Sequence, residues 1–397
     1  MPRKILLLDL DAFFCAVEEL CDLSLRGKPF AVGGSPQGRG VVASCSYPAR
    51  RFGVRSAMPM SRALALCPQL LVVRGQHHLY SEYSHKVMAR LEALTPQVEQ
   101  VSIDEAFLDV SHLPEPGVAL ARRLQATIHD ELGLPCSIGV ATNKLLAKTA
   151  SEVGKATGRQ SRPNYDGPPM AILEVPPGEE AAFLAPLPAG MLWGVGPKTA
   201  ERLAGMGIRT IGDIARWPEE SLVRRFGKSG FFLRRAAQGM DDSPVHTERE
   251  EKSVSHETTF ETDIADREAL HRTLRRLSEG VGRRLRRAAT SGVTVSLKLR
   301  WSDFTTISRQ ATLGMPTDLD SEISATAVKL FDAAWKPGRP VRLLGVGVSG
   351  LRPPVRQLPL WDEAPERQRH LQEALDVLRE RYGRKVVRRA SELDGKS

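Results

Sequence analysis

The chain of 397 residues has no C-x-x-C pair. Its five cysteines (Cys15, Cys21, Cys45, Cys67 and Cys136) are odd in number and all lie in the first third. This argues against a disulfide framework and a cysteine zinc site, and it fits a reducing compartment. No apolar run approaches the ~18 residues that a membrane span needs. Met1-Pro2-Arg3-Lys4 is followed by only four apolar residues before Asp9, too few for the apolar core of a signal peptide. A cytoplasmic protein without a membrane partner is expected. A phosphate-binding Gly-x-x-x-x-Gly-Lys-Ser loop is also missing, because Gly227-Lys228-Ser229 has Leu222 where the first glycine belongs. Internal repeats and low-complexity tracts are absent. At roughly 100–200 residues per domain, two to four domains are expected.

What is present is positive charge, unevenly spread. The formal net charge is +9. Residues 1–115 carry twelve basic and twelve acidic residues, whereas 267–287 carries eight arginines against Glu268 and Glu279. A neutral first part and a basic later part fit a protein that holds a polyanion along its length.

The pattern of apolar residues divides the chain. Residues 4–8 form a short apolar run ending at Asp9, which reads as a buried strand. Phe13, Ala16, Val17 and Leu20 follow at helical spacing. Segments 30–34 and 40–45 are rich in strand formers, and 80–94 is helical. Segments 98–101 and 106–110 read as strands joined by Ser102-Ile103-Asp104-Glu105. A helix over 118–132, a strand over 136–140 and a helix over 143–153 come next. A Pro/Gly-rich connector leads to an all-helical stretch, 189–238, and 239–256 reads as a tether. A second α+β unit then alternates helix 267–289, strands 293–300 and 305–310, helix 321–335 and strand 341–349. A helical segment near 366–382 closes the chain.

The sharpest chemistry is acidic. Asp9-Leu10-Asp11 ends the first strand, and Asp104-Glu105 lies about 95 residues later in a strand–turn–strand. Acidic turns are commonly just solvated. Carboxylates at adjacent strand ends, however, can also hold two divalent ions that activate an attacking oxygen and stabilise a leaving phosphate oxygen. Magnesium suits such a set, since it takes one or two carboxylates plus substrate phosphates.

The flanking residues decide between these readings. Leu8-Asp9-Leu10-Asp11-Ala12-Phe13-Phe14, Tyr47-Pro48-Ala49-Arg50-Arg51-Phe52-Gly53-Val54 and Ser102-Ile103-Asp104-Glu105-Ala106-Phe107-Leu108-Asp109 closely resemble the Y-family DNA polymerases, nearest to the DinB, or polymerase IV, branch. The likeness continues through Gly139-Val140-Ala141-Thr142-Asn143-Lys144-Leu145-Leu146-Ala147-Lys148, Trp193-Gly194-Val195-Gly196-Pro197-Lys198 and Lys252-Ser253-Val254-Ser255.

The resemblance implies an α+β multidomain fold. It would be a right-hand polymerase with a ferredoxin-like palm, small fingers, a helical thumb with a helix-hairpin-helix, and a C-terminal α+β little finger. The boundaries would be 1–166 for palm and fingers (fingers roughly 22–76), 167–238 for the thumb, 239–256 for the linker, 257–350 for the little finger and 351–397 for the tail. The implied activity is template-directed addition of dNTPs to a primer 3′-end, with low fidelity, translesion synthesis and no proofreading. The implied partners are primer–template DNA, dNTP and a sliding clamp, with the chain acting as a monomer.

Residue by residue, Asp9 and Asp104 match carboxylates shared by two Mg2+ ions, for which Mn2+ can substitute. Glu105 matches the ligand on the primer side, and the carbonyl of Leu10 completes the nucleotide side. Asp11 matches an acid that is not a principal ligand, and its ordinary role is to open a helix. Phe14 matches the steric gate that leaves no room for a 2′-hydroxyl, while Phe13 reads as core. Ser44, Tyr47, Arg50 and Lys155 match residues that grip the triphosphate. Ser44 keeps the hydroxyl of the threonine common in relatives, and the stretch after Lys155 departs from the family pattern. Gly194, Val195, Gly196 and Lys198 resemble a hairpin that meets a DNA phosphate through its backbone. Lys252, Ser253 and the strands near 293–310 are expected at the DNA backbone, whereas the arginine-rich helix is expected behind the sheet. His77-His78 falls outside the active site of the family pattern.

Gln357, Leu358, Leu360 and Trp361 resemble a bacterial sliding-clamp peptide, in which apolar side chains fill a pocket. Thirty-six residues follow it and have no assignment. Two other readings stand beside the polymerase. A non-catalytic relative bridging clamp and polymerases would lose metal carboxylates, which this chain keeps. A palm-type nucleotidyl cyclase would have no use for the hairpin or the clamp peptide.

Overall fold

The computed structural model describes residues 2–160, 165–248, 250–354, 364–383 and 386. Residues 357–361, expected to bind a clamp, lie outside the described residues. The chain forms two compact units, Met1–Arg249 and Glu250–Ser397.

The first unit is organised by β1 (Ile5–Leu10). Ile5, Leu6, Leu7 and Leu8 are all fully buried. A strand apolar on both faces needs cover on both faces. The chain supplies it through α1 (Phe13–Cys21), a small subdomain made of β2 (Phe30–Gly33), β3 (Val42–Cys45), α2 (Tyr47–Arg51), α3 (Met60–Leu66) and β4 (Leu71–Val73), then α4 (His77–Leu94), β5 (Val98–Gln100), β6 (Glu105–Asp109), α5 (Gly117–Leu132), β7 (Cys136–Ala141), α6 (Lys144–Gln160) and β8 (Ile172–Glu174). The main sheet runs β5-β6-β1-β7-β8, with β1 antiparallel to β6 and β7. Leu6 and Leu8 pack with Phe13, Leu91, Leu120 and Ile128 on one face. Ile5 and Leu7 pack with Leu145, Leu146 and Ala150 of α6 on the other. The subdomain has its own sheet, β3-β2-β4, and its own core around Ala31, Val42, Met60 and Leu70.

Short helices follow: α7 (Glu180–Leu184), α8 (Pro197–Ala204), α9 (Ile211–Arg216), α10 (Glu219–Phe226) and α11 (Lys228–Ala237). Their apolar residues, among them Leu203, Ile211, Ile214 and Leu222, extend the core on the α6 side. Helix α9 starts with a capping box, in which Thr210 and Asp213 satisfy each other's backbone amides.

The tether expected over 239–256 is shorter than that. Asn143 Nδ2 donates to Gly239 O at 2.8 Å, Leu145 N to Asp241 Oδ2 at 3.1 Å, and His246 N to Glu99 Oε2 at 2.9 Å. The segment is thus bound to the first unit as far as 246, and from Ser253 it is already a strand.

The second unit contains β9 (Ser253–Ile264), α12 (Arg267–Arg287), β10 (Ser291–Trp301), β11 (Thr306–Thr317), α13 (Asp320–Ala334), β12 (Val341–Arg352) and α14 (Ala364–Tyr382). Its sheet runs β11-β10-β12-β9, every pair antiparallel. On β10, Val295, Leu297, Leu299 and Trp301 are buried against the helices, while Thr294, Ser296, Lys298 and Arg300 alternate onto the other face. Helix α12 buries Leu270, Leu274, Leu277, Val281 and Leu285, which puts its arginines away from that open face, as expected. Two of them dock α14. Arg286 pairs with Asp320 at 2.9 Å and Asp376 at 2.7 Å, and Arg287 pairs with Glu380 at 2.6 Å.

Candidate active site

Asp9 stands one residue from the end of β1, paired across the ladder with Glu105 of β6 on one side and Ser137 of β7 on the other. Side chains alternate along a strand, so Asp9 shares the face of Ile5 and Leu7, the face that α6 covers. Helix α6 answers with Lys148, Glu152 and Lys155, spaced four and three apart and hence on one side. Gly139 of β7 lets the helix come this close, because a Cβ there would lie 1.9 Å from Ala147 O. The result is an ion-pair cluster. Lys148 Nζ lies 2.9 Å from Glu105 Oε1 and 3.7 Å from Asp9 Oδ2. Lys155 Nζ lies 2.7 Å from Asp9 Oδ1. Glu152 Oε1 is 3.8 Å from both ammonium groups.

Burial pushes the Glu105 carboxyl above its ordinary range, and Lys148 only partly offsets this. Burial works against the charge of Lys148, but the hydrogen bond and charge of Glu105, with Asp9 and Glu152, outweigh it and raise its pKa. Asp104 enters from the turn before β6. Its carbonyl accepts from Leu10 N at 2.9 Å, and its carboxylate accepts from the Ser102 hydroxyl.

Asp11 has a different role from the helix opener expected. Ala12, in a left-handed conformation with φ 48°, precedes α1 and gives no side-chain cap. Asp11 is instead buried, accepting from Ser137 Oγ at 2.9 Å and Met170 N at 3.0 Å. Burial pushes its carboxyl up to about 6, against the pull of Lys155 and these two donors.

Asp9, Leu10, Phe14, Ser44, Tyr47, Arg50, Asp104 and Lys155 all line one cleft. Tyr47 and Arg50 share a face of α2, with the guanidinium 4.6 Å from the ring centroid. Arg50 Nε donates to Cys45 O at 3.2 Å, and Ser44 accepts from the Cys15 thiol at 3.5 Å. Phe14 is half-buried and stacks on Tyr80, ring centroids 4.3 Å apart and planes 12° apart. Phe13 is core, 2 % exposed. The Tyr80 hydroxyl donates to buried Glu18, which also accepts from Gln76 Nε2 at 3.2 Å. His77 lies closer to the site than its sequence position indicated, its ring edge-on to Phe14 at 6.1 Å.

Gly194, with φ +91°, and Gly196 precede α8, and a Cβ on either would meet nothing within 4 Å. The left-handed φ accounts for glycine at 194. At 196 neither φ nor crowding demands it, and the backbone there is open to a ligand. Val195 is 7 % exposed and belongs to the core. Lys198 is exposed, as are Lys252 and Ser253 at the start of β9 in the second unit.

The impB/mucB/samB family model matches residues 8–152, the C-terminal domain model of that family matches 251–360, and the IMS family HHH motif matches 177–208. A DNA polymerase IV of Dehalococcoides mccartyi (strain CBDB1) is 41% identical over 385 residues, covering 96% of this chain and 95% of the relative. A DNA polymerase IV of Alkalilimnicola ehrlichii is 41% identical over 352 residues, covering 88% and 95%. The chain belongs to the Y-family DNA polymerases, in the DNA polymerase IV branch. Among solved structures, a Y-family DNA polymerase chimera (Dbh-Dpo4(243-245)-Dbh) matches with a TM-score of 0.75 at 25% identity, covering 87% of this chain and 98% of its own. An insertion ternary complex of Dbh DNA polymerase has the same fold, with a TM-score of 0.62.

This Y-family chain is therefore a DNA-directed DNA polymerase of translesion synthesis, with the multidomain α+β architecture and helix-hairpin-helix of its family. Neither the scaffold nor the cyclase reading agrees with polymerase relatives that match along nearly the whole chain. Among the described residues, no helix is long and apolar enough to cross a membrane. Sequence reasoning missed Lys148 and Glu152 as neighbours of Asp9 and Glu105, although their spacing from Lys155 on one helix was the available signal. It missed Tyr80 as the ring behind Phe14, because Tyr80 reads as the first apolar residue of an ordinary helix face.

Proposed function

We propose that the cleft beside Asp9 is the polymerase centre, with Asp9, Asp104 and Glu105 holding two Mg2+ ions (Mn2+ can substitute) and the Leu10 carbonyl on the nucleotide side. One observation carries the reading: Asp9 of β1 and Asp104, from the turn that leads into its partner strand β6, line one cleft whose walls also bear Phe14, the hydroxyls of Ser44 and Tyr47, an arginine and a lysine, and Glu105 is the ladder partner of Asp9. The donors are all oxygen, which suits a hard cation completed by phosphates and water. Among the described residues no three acidic, histidine or cysteine side chains form a ready-made cage. The acids are held by Lys148, Lys155 and Ser102 instead. When bound, the ions lower the pKa of the attacking primer hydroxyl and stabilise the leaving oxygen.

The side chains do the rest. Ser44 and Tyr47 donate hydroxyls to phosphate oxygens, Arg50 offers a two-pronged donor, and Lys155 offers a point charge within reach of the same cleft. Phe14, backed by Tyr80, lies where a sugar 2′-hydroxyl would collide. The open glycine backbone at 194–196, with Lys198, receives a DNA phosphate independently of sequence. Lys252, Ser253 and the open face of the C-terminal sheet do the same. The subdomain of 30–73 is small, a three-stranded sheet with two short helices, which supports low fidelity. Domain limits follow the family order: palm and fingers to 166, thumb to 238 and little finger from β9. Gln357, Leu358, Leu360 and Trp361 serve as the clamp peptide, and their deletion should lower processivity only when clamp is added.

The decisive test is Asp104→Ala. Primer extension should fall roughly a thousandfold or more while primer–template affinity stays within about twofold. Undiminished extension overturns the assignment. Phe14→Ala should admit ribonucleotides, and continued rejection would make Phe14 a core residue only.

A further inference from the structure

In the reading above Lys148 only holds the acids and takes no part in the chemistry, yet it sits among the proposed ligands. Its ammonium lies 2.9 Å from Glu105 and 3.7 Å from Asp9, with Glu152 at 3.8 Å. The side chains of Lys148, Glu105 and Asp9 are 19%, 16% and 15% exposed, so water screens their charges poorly. Lys155 lines the nucleotide cleft with Asp9 and Asp104, whereas neither Lys148 nor its partner Glu105 is among the lining residues. A phosphate in that cleft can draw Lys155 away from Asp9, while Lys148 stays beside Glu105.

We propose that Lys148 is a positioning residue that occupies the primer-side cation bay between Glu105 and Asp9, so that a divalent ion enters only by displacing it. The proposal rests on the two-ion reading. The physical argument is competition. Two carboxylates this close repel unless a cation lies between them, and Lys148 supplies that cation from within the chain. An incoming ion gains only the difference between its own attraction and that of the ammonium it expels. The substrate-free protein therefore holds the ion weakly, and the oxygens of primer terminus and nucleotide tip the balance. Ion loading becomes tied to substrate binding. Lys144, one turn earlier on α6, shows the contrast: it pairs with Glu99 at 2.9 Å, away from these acids.

The test measures Mn2+ binding to the full-length protein without DNA or nucleotide, from the loss of the free-ion electron paramagnetic resonance signal. Lys148→Met should bind Mn2+ about tenfold more tightly than the wild type. Lys148→Arg keeps the charge and should stay within about twofold of it. Added Mn2+ should raise the thermal midpoint of Lys148→Met more than that of the wild type, which also shows that the variant is folded. Unchanged or weaker binding by Lys148→Met overturns the proposal. Glu105→Gln separates the two levels. If it weakens Mn2+ binding while Lys148→Met changes nothing, the ligand set stands and the displacement idea falls. If Glu105→Gln leaves binding unaltered, the ligand assignment itself fails, and this proposal with it.

Discussion

The first four strands of the main sheet in the first unit, which α6 and β8 then extend, and the four strands of the second unit's sheet share the chain order strand–helix–strand–strand–helix–strand, yet the two sheets place the first strand differently. In the first unit β1 lies inside the sheet, between β6 and β7. In the second β9 lies at the edge, beside β12 alone. The sequences of the two strands account for this. The run Ile5 to Leu8 has nothing polar to show to water, so it needs neighbours and covering helices on all sides. β9 carries Ser253, Ser255, Glu257, Glu261 and Asp263, which suits an edge where charge discourages stray strand pairing. Burial on all sides makes the end of β1 a rigid platform, with Glu105, Ser137 and α6 arriving from three directions. A sheet bare on one face offers an extended polar surface instead. One unit is built to fix a few atoms, the other to lie against something large.

Substitutions at paired positions should separate the two most sharply at glycine. Gly139→Ala drives a Cβ into the backbone of α6 and should cost at least ~3 kcal/mol, read as a lowered urea midpoint. Gly347→Ala, on the open face, meets the Ser296 hydroxyl at 2.8 Å, which can rotate away, and otherwise Ser255 Cβ at 3.2 Å and Val254 O at 3.8 Å, contacts far looser than the 1.9 Å at Gly139. It should cost less than ~1 kcal/mol. Equal effects would break the contrast between a covered and a bare sheet.

Next in size, Arg286→Ala removes the cation that faces Asp320 and Asp376 and should destabilise the second unit by about 3 kcal/mol. Its unfolding should then separate from that of the first unit in a calorimetric scan. A single unshifted transition would mean that α14 adds nothing to the second unit. On the open face, Lys298 pairs with Glu257 at 2.8 Å. Lys298→Ala should weaken primer–template binding severalfold and lower the salt slope by about one, with turnover at saturating DNA unchanged. A loss of turnover with binding intact would put chemistry where only grip is expected.

The smallest effect concerns Asp213. Backbone amides of Thr210 and Arg209 hold its carboxyl down to about 2. A carboxyl depressed in the folded state stabilises it above the unfolded value, near pH 4, and loses that contribution as pH falls toward 2. The difference in thermal midpoint between the wild type and Asp213→Asn should be full at pH 7 and shrink over that window. A difference independent of pH would remove the charge from the explanation.

Much of this was legible in the chain. The apolar run of β1, the alternation on β10 and the apolar stripe of α12 each announce an element and its buried face. β4 and β8 were not legible, since three residues are too few to show a period and both strands are held by parallel pairing with distant partners. The start of β9, residues 253–256, read as part of a tether, and the rest of the strand went unassigned, because its polar residues carry no burial signal. Asp11 read as a helix opener because nothing local reveals Ser137 and Met170, which are far away in sequence.

By itself the sequence determined the family and singled out the acids and the ring as candidates, because those residues lie in local motifs whose spacing survives outside any fold. Only the tertiary structure decided that Lys148 and Lys155 reach the acids and that Tyr80 supports Phe14. Those contacts depend on how closely α6 approaches β7 and how α4 packs on α1, distances set by side-chain volumes far apart in the chain and invisible to any pattern read along it.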